Sequence, residues 1–312
     1  MTAIVSLCIK PAVDLFCRTE RLIDDGKSRC RISSREPGGG GINVARNLHG
    51  LGVGVLTVFT AGGANGKQLQ DMLECDKIPF HRFEIEDDTC QNIAVTETST
   101  GKTYHLVFPG QQLREPEWQN CLAYVNSLDP RPEYLVLSGS LPEGVPDDFY
   151  GRIAVDAKEK GIRTILDTSG RALASPLKTG VYLAKLNRGE FVDSGYSGRL
   201  DDYQSMLAAM AEMVANGMAE ALIVTLDAEG ALLASRDGDS LHVRPPATKV
   251  VSHVGAGDSF VSVLVYQLYQ GKSLAEAYRY GVAAAAAKVQ MPGNYLDDME
   301  LVETIYQQVG WK

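Results

Sequence analysis

The residues best suited to chemistry form one stretch, Ser252-His253-Val254-Gly255-Ala256-Gly257-Asp258-Ser259-Phe260. A small-residue turn runs straight into an apolar helix. Phe260, Val261, Val263, Leu264 and Leu268 fall at helical spacing, and Gly271 offers a stop. Gly255, Ala256 and Gly257 leave backbone N–H groups uncovered at the helix start. Those donors and the positive end of the helix dipole suit a phosphate or a developing oxyanion. Asp258 falls in the first turn. A carboxylate beside an anion hole can take a proton from a hydroxyl while the hole holds the group in transfer. Phosphoryl transfer to an alcohol requires that arrangement. The same residues also read as a plain turn with Asp258 as N-cap, and a short Gly-rich motif does not decide between them.

A second stretch, Gly38-Gly39-Gly40-Gly41-Ile42-Asn43, precedes a helix with Ile42, Ala45, Leu48 and Leu51 on one face. Consecutive glycines let a ligand approach the backbone, and Asn43 can bond hydroxyls from the helix start. Asn187 and Glu190, three apart, share a helix face. They could hold the water shell of Mg²⁺ or form a capping box. Lys27, Arg29, Arg31 and Arg35 alternate without an intervening acid. On one extended strand they would share a face, as a basic patch or as a protected edge. Asp14 and Asp167 could be loop caps, and His253 carries no assigned chemistry. No Gly-x-x-x-x-Gly-Lys-Ser/Thr and no Gly-x-Gly-x-x-Gly fits this chain, so Walker-type NTPases and dinucleotide oxidoreductases lose support.

The elements that must position these groups alternate between strand and helix. Strands are expected at 4–9, 53–59, 134–138, 163–167, 182–185, 221–225 and 231–235. Helices are expected at 41–51, 66–75, 118–127, 147–160, 202–216, 258–269 and 274–289, the last with a Ser273/Glu276 capping box. The pattern predicts a mostly parallel sheet covered by helices, with sites beyond the carboxyl ends of the strands. Those ends carry Asp14, Ser138 to Pro142, Asp167 to Gly170, Lys185 to Glu190 and Thr225 to Gly230. Two hairpins, 14–35 turning at Asp24-Asp25-Gly26 and 91–108 turning at Ser99-Thr100-Gly101, break the rhythm and read as a small β lid.

At 312 residues and 45% hydrophobic composition, the chain can bury a large core. Its net charge of −9 argues against nucleic acid or an anionic membrane as partner. No apolar run is long enough to span a bilayer, and the first residues read as a buried strand rather than a signal peptide. Six cysteines without Cys-x-x-Cys spacing suggest reduced thiols and a cytoplasmic setting.

Pro37 to Arg46 together with Val254 to Ser259 resembles the two signatures of the ribokinase-like, or PfkB, family of sugar kinases. Ser138-Gly139-Ser140-Leu141-Pro142 and Lys185-x-Asn187-x-x-Glu190 extend the resemblance over the whole chain. It implies a single kinase domain over 1–312: a doubly wound, mostly parallel sheet flanked by helices, with lid segments at about 12–36 and 88–109. It further implies ATP and Mg²⁺ as cofactors and a homodimer formed through the lid. Pro11 to Asp14, Gly26 to Arg29 and the all-glycine run resemble the phosphosugar kinases, above all the minor bacterial 6-phosphofructokinases of glycolysis. Alternatives are a tagatose-6-phosphate kinase or 1-phosphofructokinase, a kinase of an unphosphorylated sugar or nucleoside, and a sugar- or nucleotide-binding regulator without turnover. The resemblance makes Asp258 the catalytic base and Gly255, Ala256 and Gly257 the anion hole. Asp14, Gly38, Gly39, Asn43 and Ser140 would bind the sugar, and Lys27 and Arg29 its phosphate. Lys185, Asn187, Thr225, Asp227 and Gly230 would face the nucleotide, with Asn187 and Glu190 reaching Mg²⁺ through water. The chain departs from the branch at Cys90, where arginine is usual in Thr-Arg-x-Asn. It departs also at Asp227, Val263 and Ala285, where glycine is usual.

Overall fold

The computed structural model describes residues 3–311 and contains two sheets. The larger has ten strands. In spatial order they are Gly310–Trp311, Ser240–Arg244, Ala231–Ser235, Ala219–Thr225, Val181–Asn187, Arg163–Asp167, Tyr134–Ser138, Ile4–Cys8, Val55–Ala61 and Phe80–Glu84. Every pairing from Phe80–Glu84 to Ala219–Thr225 is parallel, and the last three strands add on antiparallel. Ile4–Cys8 pairs with Val55–Ala61 on one side and with Tyr134–Ser138 on the other. The chain therefore winds outward in both directions from the first strand.

That strand, Ile-Val-Ser-Leu-Cys, is buried throughout because helices cover both sheet faces. Val5 and Leu7 pack with Trp118, Phe149 and Met206 on one side, whereas Ile4 packs with Val44, Phe260 and Tyr278 on the other. Burying one such side chain contributes about 1.5–3 kcal/mol, so the helices Gly40–Gly50 and Ala256–Tyr269, which carry the two glycine turns, are firmly held. Val263 and Ala285 belong to the apolar cluster of that second side.

The smaller sheet has the order Arg31–Gly38, Ala12–Thr19, Cys90–Glu97, Thr103–Leu106. Both expected hairpins are present within it. Three expectations are corrected. The first strand ends at Cys8, close to the expected 4–9, but Asp14, expected in the loop beyond its carboxyl end, sits on a strand of the second sheet; Pro11, which has no N–H to donate, marks the break. Lys27 and Arg29 precede the strand, which begins at Arg31. Within it Phe16 pairs with Ser34 but Cys17 with Ile32, so Ser33 is an extra residue. That bulge breaks the alternation between Arg31 and Arg35, and the four cations share no strand face. Strands Phe80–Glu84, Ser240–Arg244 and Gly310–Trp311 and helices Ala174–Thr179, Arg188–Asp193 and Met299–Gln308 were not expected. Met1 and Thr2, expected before the first strand, lie outside the described residues. Among the described residues no helix is long and apolar enough to cross a membrane.

Candidate active site

Gly255 opens the helix Ala256–Tyr269 in the left-handed region, φ 76°. A side chain there would be strained, and a Cβ would also come within 2.5 Å of the Asn294 carbonyl. The turn therefore needs glycine twice over, and it leaves the first N–H groups of the helix without side-chain caps. Ala256, expected to offer its N–H, instead donates it to the His253 carbonyl at 3.3 Å, because the turn folds back on itself there. Asp258 stands in that first turn. Asn43 Nδ2 donates to Asp258 Oδ2 at 2.8 Å. The buried Asn43 Oδ1 has no partner. A buried amide oxygen left open beside a carboxylate suits a hydroxyl that bonds one and gives its proton to the other.

The glycine run lets these groups converge. A Cβ on Gly40 would strike the Ser138 hydroxyl and lie 3.2 Å from Asp258 Oδ1, and one on Gly38 would strike the Asp14 carboxylate. Asp14 accepts from Asn92 at 3.1 Å and from Asn294 at 2.9 Å. Burial raises its carboxyl, against both hydrogen bonds. Asn294 is fully buried. It also donates to Pro37 O and accepts from Arg46. The turn that presents Asn294 is pinned by buried Lys288, whose ammonium donates to the carbonyls of Met291, Pro292 and Gly293 at 3.2, 3.4 and 2.9 Å. Burial pulls Lys288 down to about 8.

Behind the helix turn, Lys185 Nζ bonds Asp167 Oδ1 at 2.6 Å with both side chains about nine-tenths buried. A Cβ on Gly257 would sit 3.1 Å from the same ammonium. Burial disfavours the charged lysine, but Asp167 outweighs it and leaves Lys185 raised. Asp258 is pushed up to about 7, first by burial and then by the charge of Asp167, against the Asn43 bond and Lys185.

Asn187 and Glu190 form a reciprocal capping box: Glu190 N–H donates to Asn187 Oδ1 at 2.9 Å, and Asn187 N–H to Glu190 Oε2 at 2.7 Å. Glu190 keeps Oε1 free of any described hydrogen bond, and burial raises its carboxyl. A hydrated cation facing Oε1 would relieve that strain, so the pair fits water-mediated Mg²⁺ while also capping the helix. Thr225 lies opposite Asn187 in the sheet and bonds Leu186 O. Asp227 and Gly230 close the turn that follows, where Leu226 N–H donates to Gly230 O at 2.7 Å. Ser140 sits in the loop after Tyr134–Ser138, whose Gly139 carbonyl accepts from Tyr150 and Thr168.

The structure thus gathers Asp14, Gly38, Gly39, Asn43, Gly255 to Asp258 and Lys185 around one place, with Asn187, Glu190 and Thr225 along neighbouring strand ends. Lys27 and Arg29 are exposed, and no described contact ties them to that place. Asp167 as the Lys185 partner and Asn294 as the Asp14 donor were missed. The first was visible as a strand-end acid; the second follows Pro292-Gly293 and gave no local signal.

The sequence pattern of the pfkB family carbohydrate kinases matches residues 1–300. The chain belongs to this family. It is 36% identical over 307 residues to ATP-dependent 6-phosphofructokinase isozyme 2 of Escherichia coli (strain K12), covering 98% of each chain. It is 31% identical over 288 residues to a tagatose-6-phosphate kinase of Staphylococcus epidermidis (strain ATCC 35984), covering 90% of this chain and 92% of the relative. The crystal structure of phosphofructokinase-2 from Escherichia coli in complex with fructose-6-phosphate superposes with a TM-score of 0.89 at 35% identity over 99% of both chains. For a pfkB kinase, ATP is the phosphoryl donor, and the two glycine turns carry the family's two signatures.

Proposed function

We propose that this chain is an ATP-dependent phosphosugar kinase acting on fructose 6-phosphate in the cytoplasm. The observation that carries this reading is the Asp258 carboxylate, bonded to Asn43 in the first turn of a helix whose glycine start has no side-chain cap. Asp258 takes the proton of the attacking sugar hydroxyl. The new O–P bond forms as the β–γ bridging P–O bond of ATP breaks, and the electron pair of that bond leaves with ADP. The N–H groups of Gly255 and Gly257 stabilise the phosphoryl oxygens, Ala256 N–H being held by the His253 carbonyl, and Lys185 adds positive charge behind them. Asp14 and the open Asn43 oxygen orient the sugar. Mg²⁺ bound with the nucleotide would neutralise charge on its phosphates, faced through water by Asn187 and Glu190. The names of the curated relatives support the choice of substrate.

Coupled ADP release over fructose 6-phosphate, fructose 1-phosphate, tagatose 6-phosphate, neutral sugars and nucleosides tests this. Fructose 6-phosphate is expected to give the highest kcat/KM. Better turnover of a neutral sugar refutes the phosphosugar reading, and sugar binding without any ADP release favours a regulator.

Asp227, an exposed residue held at φ 54°, takes the place of a glycine beside the nucleotide. Its carboxylate repels the nucleotide phosphates. Asp227→Gly is expected to lower the KM for MgATP, more strongly at low salt. Relief of the left-handed strain, about 1 kcal/mol, is offset by the roughly 0.4–1 kcal/mol cost of a freer unfolded chain, so the melting temperature should barely move. An unchanged or higher nucleotide KM would mean that Asp227 points elsewhere.

The last strand of the small sheet exposes Tyr104 and Leu106, and Val107 and Phe108 follow directly, with Val107 72% accessible. Consecutive exposed apolar groups mark an interaction surface, which fits a second copy of this chain docking through the lid. Light scattering should give a dimer mass, and Leu106→Glu with Phe108→Glu should give a monomer. A wild-type monomer sinks the lid dimer.

A further inference from the structure

Lys10 is a half-buried cation that none of these roles uses. It lies where the chain leaves the large sheet for the lid. Its carbonyl helps to line the slot around Gly39, 3.3 Å from where a Cβ would stand. Its stem passes beneath Gly110, φ 94°: a Cβ on Gly110 would strike Lys10 Cε, and the ammonium lies 3.3 Å from that point. Among the described residues the Lys10 ammonium makes no hydrogen bond and no ion pair. Gln111, the residue after Gly110, is 1% exposed, yet both ends of its amide lack partners. Buried polar groups are nearly always paired, so a buried unpaired amide one residue from the glycine that packs on an unpaired ammonium points to an absent polar ligand.

Cys90 ties this corner to the sugar pocket. It opposes Ala12 in the parallel ladder, and its thiol donates to Pro11 O at 3.7 Å. Two residues on, Asn92 holds Asp14. Burial raises the Cys90 thiol, Lys10 pulls it back and Asp14 pushes it up, so both charges reach one sulfur atom. Lys10 and Asp14 therefore flank Cys90, whose neutral thiol offers an anion only a weak donor. A sugar monophosphate is a dianion, and the pocket's other charges are the acids Asp14, Glu36, Asp167 and Asp258, with Lys185 committed to Asp167 and Arg46 to Asp76 and Asn294. The acceptor's phosphate needs an uncommitted cation at the sugar end, away from Asp258.

We propose that Lys10 grips the phosphate of the acceptor sugar, with the Gln111 amide as a second donor, and so supplies a charge that Cys90 does not. This rests on the reading of the acceptor as a sugar phosphate. A charge-assisted bond of this kind changes affinity roughly ten- to hundredfold. Titration calorimetry with fructose 6-phosphate, without nucleotide, should show that loss in Lys10→Met, and the KM for the sugar should rise alike. The KM for MgATP and the melting temperature should stay, because the ammonium holds nothing in the free protein. Lys10→Arg should keep most of the affinity, and Cys90→Arg added to Lys10→Met should restore it. Undiminished fructose 6-phosphate binding by Lys10→Met overturns the inference, and continued turnover by that variant would leave the kinase reading intact. A Lys10→Met variant that loses kcat but not sugar affinity also overturns it. A wild-type protein that binds no sugar phosphate defeats both.

Discussion

Asp258→Asn is expected to lower kcat by about 10²–10⁴-fold, the contribution of a positioned base, while the KM for MgATP stays close to wild type. Asparagine is nearly isosteric and can still pair with Asn43 after an amide rotation, so the pocket keeps its shape. What is lost is the ability to accept the hydroxyl proton. The pH profile supplies a second readout. Burial and the Asp167 charge hold Asp258 at about 7, and the base must be ionised to act. Protonation therefore grows as pH falls through 7, and kcat/KM should decline tenfold per pH unit on the acid side. Near-normal turnover by the asparagine variant, or a flat profile down to pH 5, would remove Asp258 from the chemistry.

The other large effect is expected at Lys185. Lys185→Met leaves Asp167 buried and unpaired, which costs about 3–5 kcal/mol, read as a lower denaturation midpoint. It also removes the cation that opposes the upward push on Asp258, so the acid limb should move to higher pH. Adding Asp167→Asn to Lys185→Met deletes the orphaned charge and should recover much of the stability. If the single variant is as stable as wild type, the ion pair is not holding this floor of the site. If the double variant recovers nothing, the loss lies in packing rather than charge.

How much of this was legible depended on whether a signal was local. The central strands announce themselves as apolar runs because both sheet faces are covered. The turns Gly38 to Asn43 and Gly255 to Asp258 are legible because their backbone geometry demands particular residues in sequence. Phe80–Glu84 was missed because it sits at the sheet edge, where His81 and Arg82 dilute the pattern. Ala174–Thr179 and Arg188–Asp193 have six residues each, too few to show a period. Met299–Gln308 had Leu301, Val302 and Ile305 at helical spacing and could have been read. The basic alternation at Lys27 to Arg35 misled because spacing says nothing about where pairing begins or where Ser33 bulges out. Asn294 and Lys10 were illegible for another reason: each matters through neighbours that only the fold supplies.

The bond from Asn294 to Asp14 joins positions 280 apart, and that from Asn43 to Asp258 joins positions 215 apart. Ribosomes deliver the first member of each pair long before the second. A nascent chain can emerge through the early strands and the lid while Asp14 still lacks its Asn294 donor. A chain broken off before Asn294 loses one of the two donors that hold Asp14, together with Leu296, Val302 and Ile305 from the apolar cluster, so ordering of the sugar pocket and completion of the core fall at the same late stage of synthesis.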